Sequence, residues 1–79
     1  MGNAVLEEVI ARSLKVPADS VGDDASPETL RRWDSLRHLD LMTAIEDAFG
    51  VRFSTTEILR ARSVGEIRRL LRDKGVGAV

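Results

Sequence analysis

Between Ala4 and Leu14 the apolar residues Leu6, Val9, Ile10 and Leu14 recur at three- and four-residue intervals, the stripe of an amphipathic helix. Pro17 and the turn-forming stretch from Ala18 to Pro27 end that pattern and predict a long loop, pinned to the domain by Val21 and Leu30. A second helix is predicted over Asp34–Phe49, stopped by Gly50. Ser54-Thr55-Thr56-Glu57 and Ser63-Val64-Gly65-Glu66 each place Ser at a cap and Glu three residues on, predicting a short third helix and a fourth. The fourth helix carries Val64, Ile67, Leu70 and Leu71 on one face and ends near Gly75, which leaves residues 75–79 as a frayed tail. Val51-Arg52-Phe53 alternates apolar and polar positions but is too short to build a sheet. The expected fold is all-α: a small four-helix bundle of three longer helices and one short one, with a long loop between the first two.

Stepping the second helix at about 100° per residue separates its faces. His38, Leu41, Met42, Ile45, Ala48 and Phe49 fall on one side and form the expected core stripe. Leu36 points almost directly away, sharing its face with Asp40, Thr43 and Asp47, while Leu39 and Glu46 lie at the edge. The outward face is therefore acidic, with apolar residues near its N-terminal end. Met42 has core spacing and reads as packing, and Trp33 as an anchor of the loop. His38 sits in the middle of the stripe and reads as a hydrogen-bonded packing residue rather than a reactive one.

The length of 79 residues fits one small domain spanning 1–79. A domain of this size buries only about 60% of the surface its unfolded chain exposes, so a deep, walled active site is not expected. The chain has no cysteine and one histidine, which excludes a disulfide scaffold, a thiolate metal site and a Cys nucleophile and leaves little for a Ser-His-Asp arrangement. No metal site is expected. No apolar run approaches a membrane span, and Met1-Gly2-Asn3 leads into an amphipathic pattern rather than a signal peptide, so a cytoplasmic, monomeric protein with no membrane association is expected.

The net charge of −1 hides a gradient. Residues 34–59 carry two basic groups against five acidic, a balance of −3, whereas residues 60–79 carry six basic against two acidic, a balance of +4. Arg60, Arg62, Arg68, Arg69, Arg72 and Lys74 keep open a nucleic-acid reading, in which binding would fall steeply with salt. Against it, basic residues suit the C-terminal turn of a helix, and no helix-turn-helix pattern is evident. An unmodified helical adaptor is a further alternative.

The start of the second helix holds the most informative residues. Asp is among the best N-caps, so Asp34 caps the helix and leaves the Ser35 hydroxyl free, exposed, and in the positive backbone potential where a phosphate is favoured. Asp34-Ser35-Leu36 at the head of a second helix, after a long loop, resembles the attachment motif of acyl carrier proteins. The stretch from Leu30 to Leu39, with Trp33-Asp34-Ser35-Leu36 at its centre, is similar to the form common in free-standing carriers. Ala44–Phe53 is similar to the family's stretch at the end of its second helix, and Ser63-Val64-Gly65-Glu66-Ile67 to the opening of its last. Residues 1–29 match only in helix-loop layout.

The resemblance implies that Ser35 accepts 4′-phosphopantetheine from coenzyme A as a phosphodiester, through a separate Mg²⁺-dependent phosphopantetheinyl transferase. The thiol of that arm holds acyl groups as thioesters, so the sulfur is imported into a cysteine-free chain. The protein is then no enzyme and has no catalytic residue; it is a substrate of the transferase and of acyl-loading and acyl-processing enzymes. The resemblance places Asp34 where it helps the transferase reach the serine. It gives Leu36 to partner contact, with Arg37, Leu39, Asp40 and Asp47 on the same partner-facing surface beside Glu46. Arg31, Arg32, Trp33 and Arg37 depart from fatty-acid-synthase carriers, which are small or acidic at these places. That points to polyketide or other specialised biosynthesis, including loading of one unusual small acyl unit such as a glyceryl group, with a peptidyl or aminoacyl carrier as an alternative.

Overall fold

The computed structural model describes residues 5–77 and 79. Its four helices are α1 (Leu6–Leu14), α2 (Ser35–Phe49), α3 (Thr55–Arg60) and α4 (Val64–Asp73), with no strand among the described residues. The expected start of the first helix at Ala4 lies outside the described residues, as do Met1, Gly2 and Asn3. α1 packs against α2. Leu6, Ile10 and Leu14 of α1, Leu41, Met42 and Ile45 of α2, and Val64, Ile67 and Leu71 of α4 form one buried core. Each such side chain contributes about 1.5–3 kcal/mol by leaving water. α3 contributes no fully buried residue; Ile58 alone packs its side chain against the core.

Two expectations for α2 change. Ala48 is exposed, whereas Leu41, Met42 and Ile45 are buried and His38 and Phe49 half-buried. At about 100° per residue Ala48 stands roughly 75° from the centre of that stripe, too far for a single methyl at the helix end to reach the core. Glu46 is not a free member of the acidic face: its Oε2 accepts the Phe53 N–H at 2.8 Å, tying the chain after α2 back onto the helix. Gly50 ends α2 at φ 69°, a conformation that glycine adopts without a Cβ penalty.

The loop of residues 15–34 is held at more points than expected. Val21 is buried and Leu30 packs against the core, and Ala25 and Trp33 are buried as well. A 3₁₀ turn over Ala18–Ser20, closed by Ser20 onto the Pro17 carbonyl, is an addition to the expected loop. The loop also caps α4. The Ala25 carbonyl accepts the Val64 N–H and the Asp23 carbonyl accepts the Gly65 N–H, each at 3.0 Å. A Cβ on Gly65 would stand 3.3 Å from that Asp23 oxygen, so the close approach favours glycine there.

This explains why the two capping boxes differ. Ser54 and Glu57 exchange both bonds, Ser54 Oγ accepting the Glu57 N–H at 3.1 Å and Glu57 Oε1 accepting the Ser54 N–H at 2.8 Å. At α4 only half of the box forms: Ser63 Oγ accepts the Glu66 N–H, while the loop carbonyls answer the first two amides and the Glu66 side chain stays exposed.

Arg68 joins three parts of the chain. Its guanidinium bonds Glu7 of α1, Asp23 of the loop at 3.0 Å and the Val79 carbonyl at 2.7 Å. Burial works against its charge, but Glu7 and then Asp23 outweigh that and raise its pKa above the ordinary value. The tail expected to fray is drawn back by this contact, with Val76 and Val79 packed against the core and the Val76 N–H on the Leu71 carbonyl. Ala78 of that tail lies outside the described residues.

Candidate functional site

The geometry at the start of α2 follows from Asp34. With extended backbone (φ −98°, ψ −179°), its Oδ1 accepts the Arg37 N–H at 2.8 Å and its Oδ2 meets Arg37 Nη1 at 3.2 Å. The Arg37 amide first, and its guanidinium after it, hold the Asp34 carboxyl below the ordinary carboxylate range. Arg37 is thus exposed but folded back onto the cap. Ser35 is the first residue of α2; it is exposed, and its hydroxyl makes no hydrogen bond among the described residues.

Among the described residues no side chain is hydrogen-bonded to that hydroxyl as a base would be. The one histidine, His38, lies a turn away with both ring nitrogens engaged. Trp33 Nε1–H donates to His38 Nδ1 at 2.8 Å. An indole nitrogen only donates, so Nδ1 is bare, and the ring proton on Nε2 is donated to the Ile58 carbonyl at 2.7 Å. The two rings stack with centroids 6.0 Å apart at 26°. Trp33 is buried, as its reading as an anchor requires, and the relay clamps the loop, α2 and the end of α3 together.

Around Ser35 the surface is apolar and open. Leu36 is 78% exposed, Leu39 56% and Leu59 of α3 70%. Leu59 is the member that the sequence reading missed, because six residues of α3 are too few for a stripe to declare which side faces out. Asp40 and Asp47 are also exposed along α2. Ser35, Asp34 and Leu39 line one cleft of about 500 Å³, walled by Ile58 and Leu59 on the α3 side and by Pro27 and Trp33 of the loop. Arg31 and Arg62 flank the same cleft. Leu36, Arg37, Asp40 and Asp47 stand outside it.

The basic residues of the last quarter do not form one free face. Arg68 is occupied as described, and Lys74 Nζ meets Glu57 Oε1 at 2.9 Å while lying 5.5 Å from the centre of the Phe53 ring, which holds α3 to the end of α4. Among the described residues no group of three or more His, Cys, Asp or Glu side chains is placed to hold a metal ion. No helix among them is long and apolar enough to cross a membrane.

An exposed serine hydroxyl thus stands at a capped helix start with a cleft at its side. Residues 4–71 match the family model described as "Phosphopantetheine attachment site". The chain is also similar to an acyl carrier protein of Saccharopolyspora erythraea, 29% identical over 68 residues that take in 86% of this chain and 72% of that protein.

Proposed function

The chain belongs to the phosphopantetheine-attachment family as an acyl carrier with a 4′-phosphopantetheine prosthetic group, and on that footing we propose that the arm hangs from Ser35. The residues present fit the group. The observation that carries the assignment is the Ser35 hydroxyl, exposed and unengaged at the first turn of α2 in a chain without cysteine. When bound, the group supplies a thiol on a flexible arm that holds an acyl unit as a thioester. Asp34 fixes where α2 begins and so holds Ser35 at the surface. The positive end of the α2 dipole favours a phosphodiester at that oxygen. His38, engaged on both sides, takes no part in proton transfer and keeps the neighbouring wall in place. The protein acts as a substrate of a phosphopantetheinyl transferase and then of loading and processing enzymes, as a monomer in the cytoplasm where coenzyme A serves as donor.

Leu36 and Leu39, the apolar residues exposed beside Ser35, are proposed as partner contacts, with Arg37, Asp40 and Asp47 tuning encounter rather than affinity. Arg31, Arg32 and Arg37, all exposed close to Ser35 in the chain, support a dedicated partner in polyketide or other specialised biosynthesis over bulk fatty-acid synthesis. Intact mass after incubation with a broad-specificity transferase and coenzyme A tests the assignment. The wild type gains one phosphopantetheinyl group and Ser35→Ala gains none; equal gain by both, or gain by neither, would overturn it.

A further inference from the structure

The relay from Trp33 through His38 to Ile58 is built on a side chain that titrates near neutral pH. Trp33 is buried, and its Nε1–H has one acceptor among the described residues, His38 Nδ1 at 2.8 Å. An indole nitrogen donates and accepts nothing, so that bond exists only while Nδ1 keeps its lone pair. The bond from Nε2–H to the Ile58 carbonyl has no such condition, because Nε2 keeps its hydrogen in the imidazolium. A proton added at Nδ1 therefore cuts one arm of the relay and spares the other. The severed arm holds the end of the loop, where the Trp33 N–H closes a turn on the Leu30 carbonyl two residues before Ser35.

The ring is within reach of solvent, since His38 is half-buried and lines the open cleft. The charged side chains lining that cleft with it are Arg31 from the loop, Asp34 at the head of α2 and Arg62 after α3; among the described residues none comes from α1 or α4. Asp34 is paired with Arg37, Arg62 only loosely with Glu28 at 3.9 Å, and Glu57, next to Ile58 on α3, with Lys74. A charge on His38 thus meets two guanidiniums and no unpaired carboxylate in the cleft, which adds like-charge repulsion to the opposed N–H groups. The Arg37 amide, the Ser26 hydroxyl and the Lys74 ammonium hold Asp34, Glu28 and Glu57 in turn below the ordinary carboxylate range. These three carboxylates stay charged where histidine titrates and add no step of their own.

We propose that His38 is a pH-operated latch on the loop: the neutral ring holds Trp33 in place, and the imidazolium releases the indole while keeping α3. The proton comes from water and takes no part in modification of Ser35. Above histidine's range the loop end is pinned, and the pin is lost as pH falls through it. Since Ser35 follows Trp33 by two residues, the surface a partner meets there is then set by pH. That consequence rests on Ser35 as the attachment point, whereas the latch itself does not.

The single tryptophan gives one indole N–H signal, which makes the test direct. Exchange of the Trp33 Nε1–H with deuterated solvent is followed by NMR and divided by the rate for N-acetyltryptophanamide at the same pH, which reads the ratio of released to closed chains. A released ring takes the proton at histidine's ordinary value of about 6.5, so that ratio is expected to rise about tenfold from about pH 7.5 to about pH 5.5. His38→Asn, which offers an oxygen in place of Nδ1 and does not titrate, is expected to keep the ratio level, as is His38→Gln. The backbone amides of Leu41 and Ile67, each divided by its unstructured-chain rate, are expected to stay level in the wild type. A level indole ratio in the wild type overturns the latch. So does a rise repeated in either variant, which would have another group as its source. An equal rise at Leu41 and Ile67 overturns it too, because the whole bundle would then be loosening. Far-UV circular dichroism shows which variants fold; should neither do so, the wild-type indole and core amides decide between the same outcomes.

Discussion

Two ends of this molecule handle charge in opposite ways. Where α1, the loop and α4 meet, Arg68 is drawn in among Glu7, Asp23 and the Val79 carbonyl, with its side chain only 14% exposed. At the mouth formed by the start of α2, the loop and α3, Arg31 has no ion-pair partner among the described residues, Arg62 has a loose one, and Leu36, Leu39 and Leu59 face water. The first arrangement holds chain segments together; the second leaves polar and apolar groups available to something else. In so small a domain the contrast teaches that the frame and the working surface are separable, although they share one seam, the relay from Trp33 through His38 to Ile58.

The seam is the place to break the comparison most severely. Trp33 is buried on the frame side and lines the cleft on the other. Trp33→Ala is expected to cost about 3–5 kcal/mol, the range for truncating a large buried aromatic. That is much of the stability of about 5–15 kcal/mol that a single domain possesses. Urea unfolding followed by far-UV circular dichroism reads it; a loss below about 1 kcal/mol would show that the loop is held without its tryptophan.

A smaller effect sharpens the contrast between the two charged ends. Arg68→Ala leaves the partly buried Glu7 carboxylate without its partner and is expected to cost about 2 kcal/mol. Arg31→Ala, at the mouth, is expected to stay within about 0.5 kcal/mol of the wild type. Equal losses in the two variants, measured by the same denaturation, would erase the distinction between a structural and an available arginine.

How much of this was legible in the sequence depends on the range of the contacts. The Asp34 cap, the free Ser35 hydroxyl and the outward Leu36 follow from rules that act within one helical turn, and the structure places all three as those rules require. His38 was read as hydrogen-bonded packing, but its partner Ile58 lies 20 residues away, beyond the reach of periodicity. Arg68 meets Glu7 and Asp23 across still larger separations, so its place in the sequence suggests only a basic helix end or a nucleic-acid face. The half-formed box at Ser63 has the same cause: loop carbonyls from Asp23 and Ala25 answer amides that local chemistry alone would have left to the cap and to water. Ala48 was misplaced because spacing does not say where neighbouring helices stop covering a face.

The smallest change in stability carries the most weight for the working surface. Leu36 is 78% exposed, so its side chain adds little to folding, and Leu36→Asp is expected to change stability by no more than about 0.5 kcal/mol. The same substitution puts a charge on an exposed apolar side chain next to the proposed attachment hydroxyl. If partners dock there, the rate at which a transferase modifies Ser35 should fall about tenfold, equivalent to about 1.4 kcal/mol of lost contact. Initial rates from time-resolved intact mass, beside thermal melts of both proteins, measure the pair. A melt lowered as much as that of a core variant would put Leu36 on the frame side, and an unchanged rate with an unchanged melt would remove it from the docking surface. Only slower modification at constant stability fits a leucine that serves the partner and not the fold.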